Sequence, residues 1–326
     1  RLGKEFDGAN PERFEVSKDE MRKAWEGTDG KLKKALQHAK ENITAYHEKQ
    51  VRQGYEIQKD DGVVLGQIVR GLSRVGIYVP GGTAAYPSTV LMNAIPAKLA
   101  GVEEIVMVTP PVIEKRSGAE PVCRANPDIL AAAWLAGVDR VFLAGGAQAV
   151  AALTYGTESF PVVDKIVGPG NIFVATAKKL LFGQVDIDMV AGPSEILVLA
   201  DEGADPRYIA ADLMSQAEHD PMASAVLLTT SEKIAMDTLS EIEIQIAKLG
   251  RKEIIEKSLE GFGAVIVCGS MTEMLDLANV IAPEHLEIMV KEPMKYVADI
   301  KNAGSVFCGE YAPEPLGDYL SGTNHV

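Results

Sequence analysis

From about residue 63 the chain alternates short apolar runs with longer segments bearing helix-end signals, which leaves few folds open. The runs are Val75–Val79, Ile105–Val108, Val141–Leu143, Lys165–Val167, Ile196–Leu199, Ala225–Leu228, Ala264–Val267, Leu286–Val290 and Ser305–Cys308. Between them, Asn126-Pro127 and Asp205-Pro206 each set an N-cap before a proline at the first helical position. Ser270 and Glu273 have the spacing of a capping box, and Gly101, Gly137, Gly250 and Gly304 stand where left-handed C-caps belong. Strands alternating with helices in this way predict a parallel sheet in an α/β fold.

Residues up to about 54 read differently, as a helical N-terminal segment rich in Lys and Glu. Leu32, Leu36, Ile43 and Tyr46 recur near helical spacing there, which predicts a packing or dimerisation helix with His38 and His47 facing solvent. Gly-Pro turns near 71–81 and 191–194 offer two domain crossings.

Charge and cysteine content narrow the function classes. A formal net charge of -14 over 326 residues opposes nucleic-acid binding, which needs a basic face. No apolar run reaches the roughly 20 residues of a membrane-spanning helix. The start, Arg-Leu-Gly-Lys, lacks the apolar core of a signal peptide. Cys123, Cys268 and Cys308 are sparse and unclustered, as in a protein of a reducing compartment, and read as small buried hydrophobes. The cytoplasm is the expected location. The absence of an initial Met and the polar ending Gly-Thr-Asn-His-Val read as cut ends.

Four glycine turns are candidates for a ligand cleft: Val79-Pro80-Gly81-Gly82, Ala144-Gly145-Gly146-Ala147-Gln148, Val167-Gly168-Pro169-Gly170-Asn171 and Ala191-Gly192-Pro193-Ser194. Each is read as following a strand, and open α/β sheets bind ligands at strand carboxyl ends. Tyr78, Gln148, Asn171 and Ser194 are the polar groups they would present. No Gly-x-Gly-x-x-Gly, phosphate loop or Gly-x-Ser-x-Gly elbow is present.

In Ser215-Gln216-Ala217-Glu218-His219, the inward face through Ile209 and Leu213 continues to Gln216 and His219. Metal ligation and a hydrogen-bonded inner histidine both fit that spacing. Ile281-Ala282-Pro283-Glu284-His285-Leu286 places Glu and His side by side on a proline turn, as an acid–base pair or a chance adjacency. Asp318 and His325 add a carboxylate and an imidazole near the end.

These residues together resemble histidinol dehydrogenase, the family of the last two oxidations of histidine biosynthesis. The resemblance runs along most of the chain: Tyr78-Val-Pro-Gly-Gly, Gly145-Gly-Ala-Gln148-Ala, Val167-Gly-Pro-Gly-Asn171, Ala191-Gly-Pro-Ser194-Glu, Ser215-Gln-Ala-Glu-His219, Ala282-Pro-Glu-His285-Leu and Gly317-Asp318-Tyr with Ser321-Gly-Thr-Asn-His325. It implies two Rossmann-like α/β domains with parallel sheets and incomplete dinucleotide-binding topology, in a cytoplasmic homodimer with intertwined subunits. We expect 1–77 with 195–326 to form the domain carrying the zinc and catalytic motifs, and 78–194 an inserted domain carrying the NAD loops. The resemblance further implies one Zn²⁺ per subunit and oxidation of L-histidinol through the aldehyde to L-histidine with two NAD⁺. By motif, Gln216, His219 and Asp318 resemble zinc ligands, and Tyr78, Gln148 and Asn171 resemble NAD contacts. Glu284 and His285 resemble the acid–base pair. Ser194 and His325 resemble substrate contacts, together with Gln216, His219, His285 and Asp318. The family continues past the Thr-Asn-His-Val segment with another glutamate and a zinc-ligating histidine, neither of which is in this sequence. Two other readings follow: a truncated, non-catalytic zinc- or nucleotide-binding homologue, or a related dehydrogenase of another amino alcohol or polyol.

Overall fold

Strands buried on both faces need helices above and below, and the two large sheets among the described residues are covered in that way. The computed structural model describes residues 13–81, 86–114 and 122–324, without the side chains of Glu114, Val122 and Asp318. All nine strands expected from the apolar runs are present. The chain divides into two compact units: residues 1–191 with 318–326, and residues 192–317.

In the first unit, strands β1 (Glu15–Val16), β2 (Tyr55–Gln58), β3 (Val64–Gln67), β4 (Arg74–Tyr78), β5 (Glu104–Thr109), β6 (Val112–Glu114), β7 (Val122–Arg124), β8 (Arg140–Leu143), β9 (Lys165–Val167) and β10 (Asp186–Ile187) are formed. Six of them make one sheet in the order β1-β8-β5-β4-β9-β10. Every neighbouring pair is parallel except the short antiparallel edge pairing of β1 with β8. The strand order therefore reverses between β4 and β9. Helices α1 (Lys18–Gly27), α2 (Gly30–His47), α3 (Pro87–Leu99) and α4 (Pro127–Ala136) pack on one face. Helices α5 (Gly146–Tyr155) and α6 (Ile172–Leu181) pack on the other.

The second unit holds an all-parallel sheet of β11 (Glu195–Ala200), β12 (Ser224–Thr229), β13 (Gly263–Val267), β14 (His285–Met289) and β15 (Ser305–Cys308), in the order β13-β12-β11-β14-β15. Helix α7 (Pro206–Ala217) lies on the face of Ile196, Val198 and Ala200, with α8 (Glu232–Ile246) and α9 (Lys252–Phe262) on the same side. Helix α10 (Met271–Ile281) covers the face of Leu197, Leu199, Leu286 and Ile288. The order reverses here between β11 and β14.

The units do not follow the expected division. Residues 74–78 form β4, which hydrogen-bonds β5 on one side and β9 on the other. Segment 1–77 therefore belongs with the sheet of the glycine turns, not with 195–326. The chain leaves that unit near 191 as expected, but the second crossing falls at 317, and 71–81 is no crossing. Residues beyond 317 return to the first unit, where Asn42 Nδ2 donates to Leu320 O (2.6 Å) and Asn324 Nδ2 donates to Met92 O (2.7 Å).

Local signals agree with the structure where a side chain caps a backbone. Asn126 and Asp205 accept from the first-turn amides of α4 and α7. Ser270 Oγ accepts from Glu273 N, but the Glu273 carboxylate accepts from Gly269 N, one residue before the position a capping box requires. Gly101 and Gly137 have φ of 79° and 77°. Gly250 and Gly304 are not left-handed; the expected C-cap at Gly304 is instead a close approach, since a Cβ there would lie 2.6 Å from Glu284 O. His38 is exposed, but His47 is buried, its Nδ1 2.7 Å from Gln50 Oε1. Of the cysteines, Cys268 is buried while Cys123 and Cys308 are half-buried, and all three are free thiols.

Candidate active site

The three expected NAD residues come together at the carboxyl edge of the first sheet, where the strand order reverses. Tyr78 ends β4 with only 3% of its surface exposed, and its hydroxyl accepts a hydrogen bond from Gly146 N (2.9 Å). Gln148, in the first turn of α5, folds its amide over that same glycine: a Cβ on Gly146 would meet Gln148 Oε1 at 2.9 Å. Asn171 caps α6, its side-chain oxygen accepting from Phe173 N (3.1 Å) and Val174 N (3.2 Å). The turn that delivers Asn171 begins at Gly168, whose φ is +107°, and a Cβ there would sit 2.2 Å from Tyr78 O. Only glycine satisfies both the conformation and the close approach. Gly81 lies three residues beyond β4, whereas Gly82 falls outside the described residues. The turns after β4, β8 and β9 thus bring backbone amides and a helix start to one edge, where an anion is favoured.

The acid–base motif is built on the second sheet, and at its opposite edge. Glu284 and His285 stand at the amino end of β14, and Ser194 immediately precedes β11. The expectation that every glycine turn presents its polar residue at a strand carboxyl end fails for Ser194. Its turn follows only the two-residue edge strand β10, and the next strand starts at Glu195. One residue clamps the whole pair: Glu284 Oε2 accepts from Glu195 N (3.2 Å), and His285 Nδ1 lies 3.1 Å from Glu195 O. Since a carbonyl only accepts, this contact places the proton on Nδ1 and leaves the Nε2 lone pair for a base. Glu284 Oε2 is 3.8 Å from His285 Nδ1, and His285 is 4% exposed while Glu284 is half-buried. The turn into this motif is made by Ala282, whose φ of 53° is the one positive value among described non-glycine residues.

Gln216 is 1% exposed, and its Oε1 finds no hydrogen-bond partner. A buried carbonyl oxygen in that condition suits a cation. His219 follows two residues beyond α7 and is exposed, its amide donating to Gln216 O (3.1 Å). Among the described residues no three His, Cys, Asp or Glu side chains cluster as a metal site. Asp318 lies by its backbone in the turn Gly317–Ser321, with its side chain outside the described part, and His325 lies outside the described residues.

Sequence reasoning missed three buried acids beside this motif. Asp212, Glu287 and Glu314 are each at most 9% exposed, and Glu314 N donates to Glu287 Oε1 (2.8 Å). Burial pushes Asp212 up to about 6 against the lowering effect of its hydrogen bond with Glu287. Glu287 is pushed well above the ordinary carboxyl range, first by burial and then by the Asp212 charge. Asp212 and Gln216 are one helical turn apart on α7, as Glu287 and His285 are two residues apart on the same face of β14. The available signal was Glu287 within the apolar run Leu286-Glu287-Ile288.

The histidinol dehydrogenase family model matches residues 1–326. The chain belongs to the histidinol dehydrogenase family. It is 56% identical over 321 residues to the histidinol dehydrogenase of Clostridium acetobutylicum, covering 98% of this chain and 73% of that one. The Listeria monocytogenes histidinol dehydrogenase is 55% identical, over 99% of this chain and 73% of its own length. The crystal structure of histidinol dehydrogenase from Elizabethkingia anophelis superposes with a TM-score of 0.92 at 41% identity, covering 99% of this chain and 73% of that one. Family membership makes this an oxidoreductase acting on a small molecule. No helix among the described residues is long and apolar enough to cross a membrane.

Proposed function

We propose that this chain catalyses the NAD-dependent, zinc-dependent, four-electron oxidation of L-histidinol through L-histidinaldehyde to L-histidine, in a cytoplasmic homodimer with intertwined subunits. The observation that carries the reading is the double grip of Glu195 on Glu284 and His285, which sets a base and a carboxylate side by side in fixed orientation. The two reversed strand orders support a pair of incomplete dinucleotide-binding domains, of which the first serves NAD through Tyr78, Gln148 and Asn171.

Zinc, held by Gln216, His219 and Asp318, would anchor the imidazole and amine of histidinol, a chemistry for which the partnerless Gln216 Oε1 is suited. When bound, NAD⁺ accepts one hydride from the substrate carbon in each of the two oxidations. His285 Nε2 takes the hydroxyl proton in the first. The aldehyde is retained, with Ser194 and His325 as substrate contacts. Once His285 has released that proton to solvent, the pair of Glu284 and His285 takes a proton from water as its oxygen adds to the aldehyde carbon, and the hydrate so formed is oxidised to the carboxylate. Overall, one histidinol and one water yield histidine with reduction of two NAD⁺. Replacing Glu284 by Gln keeps an oxygen for Glu195 N but removes the carboxylate. Stopped-flow measurement is expected to show aldehyde oxidation slowed by at least about tenfold more than alcohol oxidation. Equal slowing of both removes Glu284 from the water-activating role.

A further inference from the structure

A buried ion pair grips the Gly168 peptide from both sides. Asp188, just past β10, accepts from Gly168 N through Oδ2 (2.7 Å) and from Met189 N through Oδ1 (2.7 Å). Lys178, on the buried side of α6, donates from Nζ to Gly168 O (3.0 Å) and pairs with Asp188 Oδ1. The N–H and C=O of one residue are therefore tied to opposite charges that are tied to each other. Lys178 is 3% exposed, and lysine is rarely buried so fully unless paired.

Packing alone does not account for this arrangement. Two charges withdrawn from water carry a desolvation cost that apolar side chains of the same volume avoid, and such replacements are often neutral or stabilising. What the pair supplies and apolar side chains cannot is direction. Gly168 sits at φ +107° where no Cβ fits, and a glycine in a turn has more freedom than any other residue. Three residues later, Asn171 opens α6, and the intervening Pro169 and Gly170 inherit whatever orientation the Gly168 peptide has. The clamp thus joins the end of β9, the second turn of α6 and the segment after β10 around the turn that presents Asn171.

We propose that Lys178 and Asp188 are positioning residues for the dinucleotide. They fix the Gly168 peptide so that Asn171 and the opening amides of α6 meet the NAD⁺ phosphate and ribose in a preset geometry. The proposal rests on the reading of this edge as the NAD site. The double variant Lys178→Met with Asp188→Leu removes both charges together and leaves no charge unpaired, though the Gly168 N–H and C=O lose their partners. With zinc-loaded protein, the expected result is a cooperatively folded variant, its melting temperature lowered only by the loss of those backbone hydrogen bonds, and a Kd for NAD⁺ raised at least about tenfold. KM for NAD⁺ should rise far more than kcat falls, and histidinol binding should be unchanged. The near-isosteric Asp188→Asn, which keeps an oxygen for Gly168 N, is expected to weaken NAD⁺ by a smaller factor and serves if the double variant does not fold. A folded variant of either kind whose NAD⁺ affinity stays within about twofold of the parent overturns the clamp. A parent chain that binds no NAD⁺ overturns the reading of the edge itself, and the clamp's role with it.

Discussion

Replacing Asp212 by Asn tests the buried acids beside the acid–base motif through the pH dependence of stability. Asp212 rises from an ordinary 3.8 to about 6 in the folded chain because burial disfavours its charge. A group whose folded value is raised binds more protons folded than unfolded between those two values. Its contribution is fully present below about 3.8 and is lost as the pH rises through about 6. At 1.36 kcal/mol for each tenfold change, the loss is on the order of 3 kcal/mol by pH 7. Asn has nearly the same shape and no charge, so the variant should match the parent near pH 4 and exceed it by about 3 kcal/mol at pH 7. For a unit of this size that is roughly 10 °C in the transition that melts residues 192–317. Glu287 is raised as well, first by burial and then by the Asp212 charge. Differential scanning calorimetry of both proteins from pH 4 to 7 reads the effect, with the titrations of groups that do not touch Asp212 cancelling in the difference. Curves that stay parallel across that range would refute the assignment of the penalty to a buried Asp212 charge.

Three further outcomes follow from the same geometry. Gly168→Ala forces a Cβ against Tyr78 O at a backbone angle that L residues avoid; it should cost on the order of 3 kcal/mol by urea unfolding, and a loss under about 1 would contradict the packing. Chelation of zinc should abolish histidinol binding in calorimetric titration while leaving NAD⁺ affinity intact; histidinol that still binds the metal-free protein would remove zinc from the substrate site. Glu284→Gln should separate the two oxidation steps as described above, which single-turnover kinetics with histidinol and with the aldehyde would read directly.

The strand sequence was legible because buried parallel strands are near-continuous apolar runs. What escaped lacks that signature. The hairpin of β2 and β3 alternates briefly at Tyr55-Glu56-Ile57-Gln58 but has every residue exposed and forms no continuous apolar run, and β1 and β10 are only two residues long. Unit membership escaped for another reason. Nothing in the order of residues says that Arg74–Tyr78 pairs with Glu104–Thr109 and Lys165–Val167 together, and that pairing, with β1 beside β8 and α1 and α2 on the same sheet, draws the N-terminal segment into the first unit.

The site divides in the same manner. Glycine turns and the Glu-His pair stand out because their residue types are unusual for packing. The groups that hold them do not. Glu195 acts through its backbone, which any residue could provide. Lys178 sits beside Lys179 in an apolar helix, and only the fold buries one and exposes the other. Asp212 looks like any polar residue of an amphipathic helix until β14 brings Glu287 against it.

The most direct test of the account is the number of NADH formed per L-histidinol consumed by zinc-loaded protein. Two NADH, with histidine as product and no free aldehyde, is the predicted result. One NADH with released aldehyde, or no turnover in a folded chain that binds both zinc and NAD⁺, would contradict it.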